Sequence, residues 1–115
     1  MLRNGACSVC RDVIITPVCV LCLTDEVESW IEKNKVSLVK EYRTRAREIM
    51  DSVRPKQIMR CSVCRTQATC SLCPICFAER IFNWMANKDK KIAVNFAKDF
   101  KKSLQQMSPG RQLFA

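Results

Sequence analysis

The chain has 115 residues, of which nine are cysteine, two glycine and none histidine, and it carries a formal net charge of +9. This length suits one ordinary domain or two very small ones, and a core of half this size needs a metal, disulfides or a partner to supplement it. The absence of histidine excludes imidazole catalysis and mixed Cys/His metal sites, and two glycines provide no glycine-rich phosphate loop.

The first feature along the chain is Cys7-Ser8-Val9-Cys10, followed after eight residues by the pair Cys19/Cys22. The whole pattern returns 54 residues later, as Cys61-Ser62-Val63-Cys64 and Cys73/Cys76. The same displacement carries Trp30 onto Trp84, Tyr42 onto Phe96 and Pro55 onto Pro109. Self-similarity at a fixed period marks a repeat architecture. Two units result, residues 1–55 and 56–115, each reading as a cysteine knuckle, a long helical pattern and a proline stop.

A CxxC turn lets two sulfurs converge on one ion, and four thiolates at this spacing are the ligand set of a structural zinc. The simplest assignment gives one ion to Cys7, Cys10, Cys19 and Cys22 and a second to Cys61, Cys64, Cys73 and Cys76. Disulfides are the competing use of so many cysteines, but they belong to secreted chains. The apolar run Val13 to Leu23 contains Pro17 and two cysteines and lacks a small-residue cleavage site, so it does not read as a secretory signal. It is also shorter than the ~20 residues that span a bilayer. Iron–sulfur ligation is the remaining alternative. The expectation is therefore two zinc ions per chain in an intracellular, reduced protein that does not enter membranes.

Between its cysteine pairs the first unit has the β-branched run Val13 to Thr16, suited to a short hairpin or an extended crossing. The counterpart, Arg65 to Leu72, is more polar. After Cys22 the period becomes helical, with Val27, Trp30, Ile31, Leu38, Tyr42, Ala46, Ile49 and Val53 on one stripe, and Arg54-Pro55 ends it. Asp25 and Glu28 are placed to cap this helix. The second stripe is Ile81, Trp84, Met85, Ile92, Phe96, Phe100, Leu104 and Met107, ended by Ser108-Pro109-Gly110. Polar interruptions at Lys33–Lys35 and Lys88–Lys91 mark the place where each helix can break.

A continuous helix of ~30 residues would be ~45 Å long. The connection Pro55 to Arg60 reaches ~20 Å at most. The second knuckle would then sit at the far end of the first helix, and the second helix would run back antiparallel. The expected fold is small, zinc-stabilised and mainly α, with pseudo-twofold symmetry and one ion near each end. A cross-braced arrangement, in which Cys7/Cys10 share an ion with Cys61/Cys64, requires kinked helices.

The cysteine pattern resembles the treble-clef class of zinc fingers over residues 7–31 and 61–85. The resemblance implies that a knuckle supplies one ligand pair and the first turn of a helix the other. Members of that class bind DNA, RNA, proteins or small groups, so function stays open.

Cys70 is the ninth cysteine and has Thr16 as its counterpart, so it stands outside the repeat. It reads either as a spare thiol or as a redox or ligand-exchange thiol beside a metal site. Trp30 and Trp84 read as core anchors rather than stacking platforms, because both units keep them.

The charge is divided unequally. Residues 1–54 carry nine Lys/Arg against eight Asp/Glu, and residues 55–115 carry eleven against three. On a helical wheel Lys88, Lys91, Lys98 and Lys102 share one arc, where the first unit has Asn34, Ser37, Thr44 and Glu48. These lysines are the candidate nucleic-acid contacts, with a solvated helix face as the plain alternative. The leading expectation is a non-enzymatic zinc module that binds DNA or RNA through its basic second half. The second is a protein-interaction adaptor, complex subunit or homodimer that uses Phe77, Phe82, Met85 and Phe114. Four thiolates on an ion leave no open position for a water nucleophile, so catalysis is not expected.

Overall fold

The computed structural model describes residues 7, 9–10, 17–53, 57–70, 72–107 and 114. Expectations for Ser8, for the run Arg11 to Thr16, and for the stops at Arg54-Pro55 and Ser108-Pro109-Gly110 lie outside these residues.

Helix α1 is Val20–Asn34 and α2 is Val39–Ser52, joined by a single 3₁₀ turn at Val36–Leu38. A two-stranded hairpin follows, β1 being Ile58–Arg60 and β2 Gln67–Thr69. Helix α3, Pro74–Lys88, and helix α4, Lys90–Met107, complete the described elements. The strands are antiparallel, with Ile58 opposite Thr69 and Arg60 opposite Gln67. Strand structure thus forms in the more polar second unit, and β1 precedes its knuckle instead of lying between the cysteine pairs.

The long helix expected in each unit is broken, and this is a correction. Lys35 leaves the helical region at φ −158°, its N–H still donating to Ile31 O at 2.7 Å. Asp89 does the same at φ −160°, with its N–H on Met85 O at 2.7 Å. Beyond Lys35 the chain folds back on itself. The Tyr42 hydroxyl donates to Thr24 O at 2.8 Å, and Arg43 makes two hydrogen bonds to the Glu28 carboxylate at 2.9 and 3.0 Å. Residues 15 to 18 apart along one straight helix would be ~25 Å from each other, at ~1.5 Å rise per residue. The physical reason is burial. Folding each stripe at its polar interruption lets four apolar faces converge on one core instead of leaving two extended rods.

That core is built on Tyr42, Phe77, Phe96, Ile31, Ile49, Ile81 and Met85, all essentially inaccessible to water. Trp30 of α1 packs edge-on against Phe96 and Phe100 of α4, with ring centroids 5.4 and 6.4 Å away. Trp84 of α3 meets Tyr42 of α2 at 6.4 Å. Both tryptophans pack against the core, in line with the anchor expectation. Phe77 and Met85 are buried too, while Phe82 and Phe114 are half-buried and pack on one another at 5.1 Å.

Asp25 and Glu28 do not cap α1, because the helix starts at Val20 with Cys19 as its N-cap. Asp89 does cap a helix: its Oδ1 accepts from the backbone N–H groups of Lys91 and Ile92, at 3.1 and 3.3 Å. Its Oδ2 receives the Lys35 ammonium at 2.6 Å, which holds its carboxyl below the ordinary aspartate range. One side chain therefore starts α4 and ties it to the break between α1 and α2. Replacing a capping aspartate by alanine removes a helix start, so Asp89→Ala is expected to lower the melting temperature of the zinc-loaded chain at pH 7 by roughly 3–6 °C. Asp89→Asn, which keeps a capping oxygen but loses the ion pair, should cost less than half of that in the same circular dichroism melt.

Candidate metal centres

Two groups of four sulfurs form, and neither is contained within one unit. Cys7 and Cys10 come together with Cys73 and Cys76; Cys19 and Cys22 come together with Cys61 and Cys64. Within each group all ligand atoms lie within 4.8 Å of one another. All eight cysteines expected as ligands therefore fall in these two groups, but the within-unit grouping is corrected. The exchange also differs from the cross-braced alternative, since Cys7/Cys10 meet the second pair of the other unit.

The helix break explains the exchange. Because α2 folds back, its end at Met50 and Val53 lies beside Val18, Val20 and Leu23 at the start of α1, around a void of only ~10 Å³ that Cys70 and Leu72 also line. The chain re-enters next to Cys19, so the second knuckle closes on the first helix. A latch holds it there: Ser62 donates to Pro17 O through both its backbone N–H and its hydroxyl, each at 2.8 Å.

Local backbone prepares each pair of sulfurs. Cys61 to Cys64 form a tight turn closed by Arg65 N–H to Cys61 O and Cys61 N–H to Thr66 O, both at 2.9 Å. Arg65 takes φ +64°, the left-handed region that reverses the chain into β2. The other pair sits at a helix start. Cys19 and Cys73 are the N-caps of α1 and α3 in nearly the same extended conformation, ψ 162° and 153°, and Cys22 and Cys76 fall in the first turns. Helix N-termini favour thiolates through their free N–H groups and dipole.

The donor set fits zinc. Zn–S bonds of about 2.3 Å in a tetrahedron put sulfurs about 3.8 Å apart. The separations are 3.7 Å for Cys7–Cys76, 3.9 Å for Cys10–Cys73 and 3.8 Å for Cys19–Cys64. Disulfide sulfurs would be about 2.05 Å apart, and none of the nine cysteines is in a disulfide. Backbone N–H groups point at the sulfurs: Val9 and Cys73 on Cys7 Sγ at 3.4 Å, Cys19 and Val63 on Cys61 Sγ at 3.3 Å. Burial works to raise the Cys61 thiol, but the N–H donors from Cys19, Cys64 and Val63 bring it down to about 6. Cys7 is driven far below an ordinary thiol, first by its side-chain hydrogen bonding with Cys73 and then with Cys76, while Cys73 is driven up. Each group thus holds at least one thiol below its ordinary range, Cys7 in one and Cys61 in the other, while burial and neighbouring sulfurs raise Cys19, Cys22 and Cys73. The thiolate is the form that binds metal.

Cys70 belongs to neither group. It is buried, its thiol directed to Met59 O at 3.8 Å, and burial together with the neighbouring Cys61 and Cys19 pushes it up to about 11. A thiol so protonated and enclosed is a poor nucleophile.

The charged candidates divide. Lys88 ends α3 and pairs with Glu41 of α2 at 2.8 Å, whereas Lys91, Lys98 and Lys102 share α4, and all four are exposed. The break at Asp89 takes Lys88 off the common arc. Sequence reasoning did not single out Thr66, whose hydroxyl lies 3.0 Å from Cys64 Sγ; its counterpart is Asp12, so the repeat gave no signal. Among the described residues no helix is long and apolar enough to cross a membrane.

No protein-family model, curated protein or solved structure matches this chain.

Two predictions follow from the geometry. The double variant Cys10→Ser/Cys73→Ser removes ligands from one group only, so the purified chain should keep one tightly held zinc, read by metal analysis and by cobalt thiolate absorption. Within-unit grouping would instead leave two three-cysteine sites. The groups also differ in access: Cys64 is exposed and Cys22 half-buried, whereas only Cys10 is half-buried in the other group. Chelation followed by pulsed alkylation and mass spectrometry should therefore label Cys64 and Cys22 before Cys7 and Cys76.

Proposed function

We propose that the chain is a non-catalytic, two-zinc module that binds the phosphate backbone of nucleic acid through α4. The observation that carries this reading is the charge of that helix. Lys90, Lys91, Lys98, Lys101 and Lys102 are all exposed, against Asp99 alone, and none of the five takes part in an ion pair among the described residues. By contrast Lys88 and Arg43 already have carboxylate partners. Lys91, Lys98 and Lys102 lie within an arc of roughly 40° and span ~16 Å along the helix. Closed thiolate sets and the absence of histidine support a structural rather than catalytic role for the metal.

The same proposal takes the two units to be related by an internal pseudo-twofold axis. Its support is that contacts come in pairs exchanged by the 54-residue displacement. Cys19 N–H on Cys61 Sγ, 3.3 Å, answers Cys73 N–H on Cys7 Sγ, 3.4 Å. Cys19–Cys64, 3.8 Å, answers Cys10–Cys73, 3.9 Å, and Trp30–Phe96 answers Trp84–Tyr42. The bounds of α3 repeat those of α1 at the same displacement. Lys35 meets Asp89, its own counterpart 54 residues on, which is what a residue on such an axis must do.

Lysine–phosphate contacts release counterions, so binding should weaken steeply with salt. In fluorescence anisotropy with a short labelled RNA and a matching DNA duplex, Lys91→Glu/Lys98→Glu/Lys102→Glu is expected to lower affinity at least tenfold. The slope of log K against log salt should become shallower by about 2–3. Binding that is unaffected by this triple change contradicts the assignment, and Lys88→Glu alone should matter less than any of the three.

A further inference from the structure

The two helical hairpins differ in what covers their outer groove. On α3 and α4, the ring of Phe114 lies 5.1 Å from Phe82 and 6.3 Å from Phe96, and Ile75 is only 3% exposed. The residues 54 positions before Phe82, Phe96 and Ile75 are Glu28, Tyr42 and Leu21, and all three line a groove of about 340 Å³ between α1 and α2. Leu21 is 71% exposed there, more than any other large apolar side chain among the described residues. Val20, Ala46 and Met50 extend the apolar surface around it. The residue in register with Phe114 is Arg60, and its backbone is committed to β1 opposite Gln67. The first unit therefore has the groove but has spent the equivalent stretch of chain on the knuckle.

We propose that the α1–α2 groove docks a peptide segment of a partner protein, which lays one large apolar side chain over Leu21, Ala46 and Met50. The molecule supplies a precedent, because on the second hairpin the ring of Phe114 lies against Phe82 and Phe96, the counterparts of Glu28 and Tyr42 in this groove. Charge argues for a near-neutral segment and against a polyanion: the rim holds Glu28 and Arg43, already paired at 2.9 Å, together with Arg47 and Asp51. The volume lies at the low end of ligand clefts, ~300–1,000 Å³, and suits a side chain rather than a bulky cofactor. An aromatic seated in such a pocket is the usual anchor of a protein interface. This inference rests on the 54-residue correspondence proposed above and is independent of the lysines of α4.

The test is a titration of the isotope-labelled, zinc-loaded full chain with a synthetic peptide carrying residues 110–115, the stretch that bears Phe114. Amide shifts should fall within 20–28 and 42–51 and saturate below about 1 mM. Leu21→Glu, a change at an exposed position, should weaken binding at least tenfold, and so should alanine in place of the peptide's phenylalanine. Absence of saturable shifts, or an affinity unchanged by Leu21→Glu, overturns the proposal. Shifts centred on α3 and α4 overturn it as well, while leaving the correspondence of the hairpins intact, since the peptide would then be displacing Phe114. A dimer abolished by Leu21→Glu in native mass spectrometry also overturns it, by showing a second copy on the groove.

Discussion

The crossing of the ligand pairs is the constraint on which the rest of the fold depends. Each sulfur tetrahedron takes one pair from the first half of the chain and one from the second, so neither half holds a complete ligand set of the observed kind. In small zinc modules the free energy of binding the ion is also folding free energy. Here a bound ion would close loops from Cys22 to Cys61 and from Cys10 to Cys73, so the cost of bringing distant segments together would be met at these groups. The helical core adds to this but is arranged around it. Helix α1 begins at one set and α3 at the other, and α2 must return to the first for the second knuckle to reach Cys19.

Much of this was legible in the residues. The CxxC spacing named all eight clustered cysteines, and the displaced pattern isolated Cys70 as the one outside them. The apolar stripes named the buried side chains, Ile31, Tyr42, Ile49, Ile81, Met85 and Phe96 among them. What failed was the path between these pieces. A stripe carried through Lys33–Lys35 looks the same whether the helix is straight or folded, because both put Ile31 and Tyr42 on an apolar face. Only tertiary burial decides between them, and it favours the fold. Once the helix breaks, the reach argument reverses: the end of α2 returns to the start of α1 and the ligand pairs exchange. The interruptions at Lys33–Lys35 and Lys88–Lys91 were the available signal. Asp89, cap and ion-pair partner at once, shows that they are structural elements and not gaps in a pattern.

The arrangement also explains how one scaffold can present two different surfaces. Under the proposed correspondence of the two halves, the ligands, helix starts and aromatic anchors are shared while the outer residues differ. On the second hairpin this gave the lysines of α4 and an aromatic cover over Phe82 and Phe96. On the first it gave Glu28 in place of Phe82, the Arg43 ion pair and an uncovered Leu21. In the proposed reading, one face meets phosphates and the other an apolar side chain. The cysteine groups fix where α1 and α3 start, and Asp89 fixes where α4 starts.

The pairing of ligands is tested most directly by replacing the metal with a magnetically active cadmium isotope and recording correlations between each ion and the cysteine β-protons. The account predicts two cadmium resonances, one coupled to Cys7, Cys10, Cys73 and Cys76 and the other to Cys19, Cys22, Cys61 and Cys64. Correlations that group Cys7 and Cys10 with Cys19 and Cys22 would contradict it.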